Sequence, residues 1–262
     1  MTKFGSPYLL PRKEMPMRYL PAIVVALVSI MAASPACAQR MAGFADIAAK
    51  GNVLELRVPL WMNGTMRAGP ALTGRVRRKS LGASEALTLF GISIGGAERF
   101  GRFTFEAEGP AVDGKLSGDC IYDRTERRLG IGSFTISEPR RPLLLRCRFL
   151  RAGQVVGTLR LEAEAGTGAI AQPAHRIGRV KLGDKTVTIR SEHYLQGARV
   201  PTELPVGYRV ADADTDEVIG AVDLTDFSRR VIALPTSNSA RPVSLVASIA
   251  LAVFWDPGDT DD

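Results

Sequence analysis

Thirteen consecutive residues near the C-terminus, Val243 to Trp255, carry no charged side chain on any helical face. Ser237-Asn238-Ser239 offers an N-cap, Pro242 suits a first helical turn, and Asp256-Pro257-Gly258 supplies a stop. A helix apolar on every side must be enclosed on every side. At 1.5 Å per residue this one is about 20 Å long, too short for a bilayer core of roughly 30 Å. Ser244, Ser248 and Ala252 form a small-residue stripe along it, where another backbone can approach closely. Whatever else the chain does, it has to build a wall around this segment.

The wall is legible as strands. Val53 to Trp61, Leu72 to Arg78, Ala86 to Ile94, Arg102 to Glu106, Lys115 to Tyr122, Gly132 to Ile136, Leu143 to Leu150 and Val155 to Glu162 are short runs bounded by Gly, Pro or Ser. Asn63-Gly64 reads as a hairpin turn. Ala163 to Ala174 is a small-residue linker. Strands resume at Val180 to Leu182 and Thr186 to Arg190 around a Gly183-Asp184 turn. Gly207 to Val210 and Val218 to Leu224 form a hairpin with an acidic tip, and Arg230 to Leu234 is the last run. The predicted class is mainly β: an antiparallel barrel or sandwich wrapped around a buried hydrophobic C-terminal helix.

On these residues the chain resembles the tubby C-terminal-like barrel shared with the LURP-one and scramblase families, in which a closed antiparallel barrel holds a hydrophobic C-terminal helix. The resemblance spans about residues 53–256. It rests on the strand count, the hairpin from Gly207-Tyr208-Arg209-Val210 to Val222-Asp223-Leu224, and the terminal helix. It implies a fold and carries no catalytic motif. The chain is also similar to uncharacterised exported proteins of Gram-negative bacteria that end in an Ala/Leu-rich helix followed by Trp-Asp-Pro.

The N-terminus reads as an export signal. Arg18 precedes an apolar run through Ala33, and Ala36-Cys37-Ala38 gives a small-x-small cleavage site before Gln39. The expected organisation is 1–38 signal peptide with an N-terminal extension, 39–52 an arm whose residues 39–50 form a short helix or stay loose, 53–257 one β-rich domain with its helix at 243–255, and 258–262 an acidic tail. The mature protein is then periplasmic or secreted, with lipidation of Cys37 as the lesser alternative. Two cysteines remain, Cys120 and Cys147, and an even pair in an oxidising compartment reads as a disulfide.

Net charge is +7, part of it in Lys3, Arg12, Lys13 and Arg18 of the signal region. The densest basic stretches are Arg75-Val76-Arg77-Arg78-Lys79 and the run Arg140, Arg141, Arg146, Arg148 and Arg151. Such arginines are expected on the solvent face of strands, and Arg140, Arg141, Arg146 and Arg148 are the candidate contacts for an anionic ligand. An anionic lipid or another envelope component is the expected partner, and nucleic acid is not.

Motifs of chemistry fail on their surroundings. Gly91-Ile92-Ser93-Ile94-Gly95 matches a nucleophile elbow but lies between strands, whereas the elbow needs a strand-to-helix turn. His193 could pair with Glu192 and a serine, yet adjacent strand residues point to opposite faces. Asp212, Asp214, Asp216 and Asp223 have the spacing of a calcium loop but Glu217 stands where that loop needs Gly. No catalytic set, metal site or cofactor is expected. The function expected is a non-enzymatic envelope protein that binds lipid or another anionic component. Its alternatives are an envelope assembly factor and, less favoured, a hydrolase whose site is assembled from distant residues.

Overall fold

Alternation of buried and exposed residues runs through the barrel strands, and the sheet they form closes on itself. The structure, a computed structural model, describes residues 39–60, 62–89, 92–131, 134–164, 175–235 and 239–256, with the side chains of 80–99 and 126–142 outside the description. The expected signal at 1–38, with Cys37, and the expected tail at 258–262 lie outside the described residues. Helix α1 (Phe44–Ala49) precedes β1 (Gly51–Arg57) and β2 (Asn63–Ala68). Four 18-residue strands follow: β3 (Leu72–Leu89), β4 (Ile92–Gly109), β5 (Gly114–Ile131) and β6 (Phe134–Arg151), with a 3-10 turn at Pro110–Val112. Then come β7 (Gln154–Ala163), β8 (Arg176–Leu182), β9 (Lys185–Glu192), β10 (Gly207–Asp212), β11 (Val218–Asp223), β12 (Arg229–Pro235) and helix α2 (Arg241–Val253).

The twelve strands form one closed antiparallel barrel in chain order, sealed where β1 pairs with β12 from Gly51↔Pro235 to Arg57↔Arg229. Closure removes the free edges of the barrel wall. Most inward positions are apolar: Leu56, Met66, Val76, Phe103, Phe105, Leu145, Phe149, Leu161, Val187 and Ile232 join α2 in a single core. Every residue of α2 from Val243 to Val253 is buried. The enclosed apolar helix is thus observed, at 241–253 instead of 243–255. Its N-cap is Ala240, without a side-chain cap; Ser244 instead donates its hydroxyl to the Ala240 carbonyl one turn back. Beyond the helix, Phe254 packs between Phe103 and Tyr122 with ring centroids 6.0 and 5.6 Å away.

Of the two forms expected for residues 39–50, the short helix is the one observed, at Phe44–Ala49. Helix α1 lays Phe44 and Ile47 over Ala221, Val231 and Ala233, the outward positions of β11 and β12. This is why those two strands are buried on both faces. Cys120 and Cys147 are bonded, as directly opposed inward positions of β5 and β6. Such a bond is compatible with an oxidising, extracytoplasmic location.

Several turn expectations move. Asn63-Gly64 opens β2 and pairs with Arg77 and Val76; the reversal comes at Gly69, which has φ of 54°. The expected strand Ala86 to Ile94 divides between the end of β3 at Leu89 and the start of β4 at Ile92. Gly183-Asp184 does turn the chain, and the acidic tip joins β10 to β11.

Candidate anionic-ligand surface

Outward positions of the barrel wall align into a basic row. The register runs Lys79↔Arg102 across β3 and β4, Arg102↔Ile121 onto β5, Ile121↔Arg146 onto β6, Arg146↔Arg160 onto β7 and Arg160↔Arg179 onto β8. All six residues are exposed. Strands sit about 4.8 Å apart, so this row spans roughly 24 Å. The next outward row contains Arg77, Thr104, Asp119, Arg148, Thr158 and Lys181. Together the two rows hold eight basic residues and one acid.

That acid binds the two rows together. Arg102 donates Nε and Nη2 to the Asp119 carboxylate at 2.8 Å each, and Arg148 donates Nη2 at 3.2 Å. Partial burial works against the Asp119 charge, but the bonds from Arg102 and Arg148 prevail and hold its carboxyl below the usual range. Arg160 is engaged by Glu162 at 2.8 Å. Lys79, Arg146, Arg179 and Lys181 form no ion pair among the described residues. Guanidinium groups present planar donor forks suited to phosphate and carboxylate oxygens.

Of the sequence candidates, Arg146 and Arg148 stand on this surface. The side chains of Arg140 and Arg141 lie outside the described residues; their backbone is in β6, where Arg141 pairs with Thr125. Arg102, Arg160 and Arg179 were missed, and Lys79 was read only as part of a basic stretch, because a cross-strand row exists only once the register is known. The expectation that the 75–79 arginines all face solvent fails at Arg78, which turns inward.

Arg78, Arg176 and Arg230 gather at the barrel end where α2 finishes. Arg78 donates Nε and Nη2 to the Val253 carbonyl at 3.1 and 2.9 Å, and its guanidinium lies 4.6 Å from the Trp255 ring centre. Burial, reinforced by Arg230, pushes Arg78 down to about 10, so it stays charged at neutral pH. Arg176 holds Asp256 through two bonds, 3.0 and 3.2 Å long. Arg230 donates to the carbonyls of Leu224 and Asp226.

Beside Arg176, His193 is buried, with Ser191 Oγ 3.0 Å from its Nε2 and the Thr202 carbonyl 2.9 Å from its Nδ1. Nδ1 therefore donates and Nε2 accepts the Ser191 proton. Glu192 serves the amide of His193 and the Arg209 side chain, not the imidazole ring, as the opposite-face argument requires. Ser191 Oγ also accepts the Arg176 amide. Burial holds His193 below its ordinary pKa; the Thr202 carbonyl opposes that, and His175 and Arg176 reinforce it.

The remaining motifs separate. Ser93 is the second residue of β4, opposite Thr88 and Gly130, with strand and no helix after it. Asp212 accepts the amides of Asp214 and Thr215, which makes the acidic tip a self-capped turn. Asp223 lies at the far end of β11, where it takes Thr225 and Arg40.

No family model matches the chain, and no match was found among curated proteins or solved structures, so what this surface does is read from its own geometry.

Proposed function

We propose that this is an exported, non-enzymatic envelope protein, periplasmic or secreted, that binds an anionic lipid surface through the basic row on its barrel wall. The observation that carries the reading is the alignment of Lys79, Arg102, Arg146, Arg160 and Arg179 across neighbouring strands. Export is supported by the signal-like N-terminus and is compatible with the buried disulfide. Kinship with tubby C-terminal-like barrels belongs to the same proposal, supported by the closed sheet around a terminal helix.

Each basic group near an anionic membrane is worth about 1 kcal/mol. Reversing Arg146, Arg160 and Arg179 to Glu should therefore weaken binding to phosphatidylglycerol-containing vesicles at low salt by at least about 100-fold. Equal binding of this variant, or equally tight binding of the native protein to neutral vesicles, removes the proposal.

A second reading, acyl transfer at Ser191, is favoured by the short contact between its hydroxyl and His193. Against it, the hydroxyl already accepts an amide and the ring nitrogen that would need a carboxylate faces a carbonyl. Labelling by a fluorophosphonate that Ser191→Ala abolishes would establish this reading over the first.

A further inference from the structure

The four long strands outrun the barrel. Strand β2 pairs with β3 only as far as Arg77, and β7 pairs with β6 only from Leu144 onward. Beyond those points β3 to β6 continue together, for ten residues from Ser80 to Leu89 on β3, and pair only with one another among the described residues. At about 3.4 Å per residue, this four-stranded flange projects roughly 30 Å past the barrel end.

Register orders the flange positions into rows. Leu89, Ile92, Ile131 and Phe134 occupy one row, and Leu87, Ile94, Leu129 and Ile136 another. Between them runs Thr88, Ser93, Gly130 and Thr135. Alternate rows of a pleated sheet share a face. The eight apolar positions therefore fall on one face of the flange and the small or polar ones on the other. Neither hairpin end has a charged residue, from Ala86 to Ala97 or from Leu129 to Ser137. Charges of both signs return just behind them, at Glu85, Glu98, Arg127, Arg128, Glu138, Arg140 and Arg141.

The apolar face is continuous with the basic row. Position 79 to 87 on β3, 102 to 94 on β4 and 121 to 129 on β5 are each an even number of residues. The β5–β6 register shifts by two in total, which keeps 136 on the same face as 146. One surface thus carries, from the barrel outward, the basic row, exposed Phe100, two rows of mixed charge (Glu98 with Arg141, then Glu85, Arg127 and Glu138) and then the apolar rows.

We propose that this face of the flange lies in the membrane interface, with its apolar rows at the boundary of headgroups and acyl chains and the basic row on anionic headgroups. The inference rests on the lipid-binding reading above and adds the contact that salt cannot screen. It is the sheet counterpart of an amphipathic helix lying in the interface plane. The edges of β3 and β6, unpaired among the described residues, set the depth: unpaired backbone groups are not tolerated in the hydrocarbon core, so the flange rests at its margin and does not cross. Among the described residues no helix is long and apolar enough to cross either.

Flotation with phosphatidylglycerol–phosphatidylcholine vesicles at low salt and at 1 M salt, where screening reduces electrostatics to about 3 Å, separates the two contacts. The native protein should keep a salt-resistant fraction that a Leu89→Ser, Ile131→Ser variant loses by at least tenfold, while that variant still binds at low salt. In a second measurement, the emission that Phe134→Trp adds over the native protein should move to shorter wavelength on the vesicles and be quenched by brominated acyl chains. Complete release of the native protein at 1 M salt, or added indole emission untouched by brominated lipid in bound protein, overturns the inference and leaves the basic row standing. Native dimerisation without lipid that the serine variant abolishes overturns it in favour of a second copy. Loss of salt-resistant binding in the serine variant, with low-salt binding unaffected by the arginine reversals, upholds the flange and removes the basic row.

Discussion

Arg78, on a wall strand, closes the C-terminal end of the enclosed helix: two of its nitrogens reach the carbonyl of Val253, 175 positions away in sequence. The last carbonyls of a helix have no partner within it, and the helix dipole adds negative potential there. In a sealed core, water cannot serve them. A charged hydrogen bond of this kind contributes about 1.5–3 kcal/mol. Arg78→Met, which keeps the length and removes the donors, should therefore lower unfolding free energy by about 2–3 kcal/mol in urea titration. Arg78→Lys should recover part of it. Full stability in the Met variant would mean that the carbonyl finds another partner.

Ile249 lies midway along α2 and is fully buried. Ile249→Asp places a charge there with no partner, at a cost of several kcal/mol against a typical stability of about 5–15 kcal/mol. The variant should fail to give soluble protein with a cooperative melt. Ile249→Val keeps the apolar character, should cost about 0.5–1.5 kcal/mol and should fold. A soluble, cooperatively melting Asp variant would show that the helix is not enclosed.

The helix was legible because enclosure follows from composition alone: no face between Val243 and Val253 carries a charge to hold it in water. Strand positions inside the barrel were legible where apolar and charged residues alternate, as in Leu143 to Leu150. The flange was not, because Ser80, Gly82, Ala83 and Ser84 have the composition of a turn, yet their backbone continues β3 in register with β4. Asn63-Gly64 misled for the converse reason: it is turn chemistry placed at a strand start. Arg146 and Arg148 could be named from local density of charge. Their companions Arg102, Arg160 and Arg179 could not, since nothing local tells which strands become neighbours. The inward Arg78 and Arg176 look like surface arginines until the Val253 carbonyl and Asp256 that require them are in place.

Cys120 and Cys147 are 27 positions apart, and their bond removes a loop of that size from the freedom of the unfolded chain. The chain-entropy account gives about 3–4 kcal/mol for such a loop. A Cys120→Ala, Cys147→Ala variant should melt about 10 °C lower, given the slope for domains of this size. Reduced native protein should fall by a comparable amount. Two free thiols on labelling the denatured, unreduced protein would show that these cysteines are not joined in solution.

His193 makes stability depend on pH in a definite direction. Burial holds its folded-state pKa below the ordinary value near 6.5, so the fold favours the neutral ring, with Nδ1 donating to Thr202 and Nε2 accepting from Ser191. Above about pH 6.5 the ring is neutral in both folded and unfolded chains, and this contribution is complete. Below it the unfolded chain takes up a proton that the folded chain resists, so stability declines as pH falls through the lowered value. Protonation would also turn Nε2 into a donor facing a hydroxyl already bonded to the Arg176 amide, with His175 and Arg176 adding like charge nearby. Asp119 and Asp226, both held below the usual carboxylate range, contribute their own loss only at lower pH. Urea titrations at pH 7.5 and 5 should therefore show the native protein losing stability that a His193→Gln variant, already weaker at pH 7.5, does not lose further. Parallel declines in both proteins over that interval would assign the pH response to some other group.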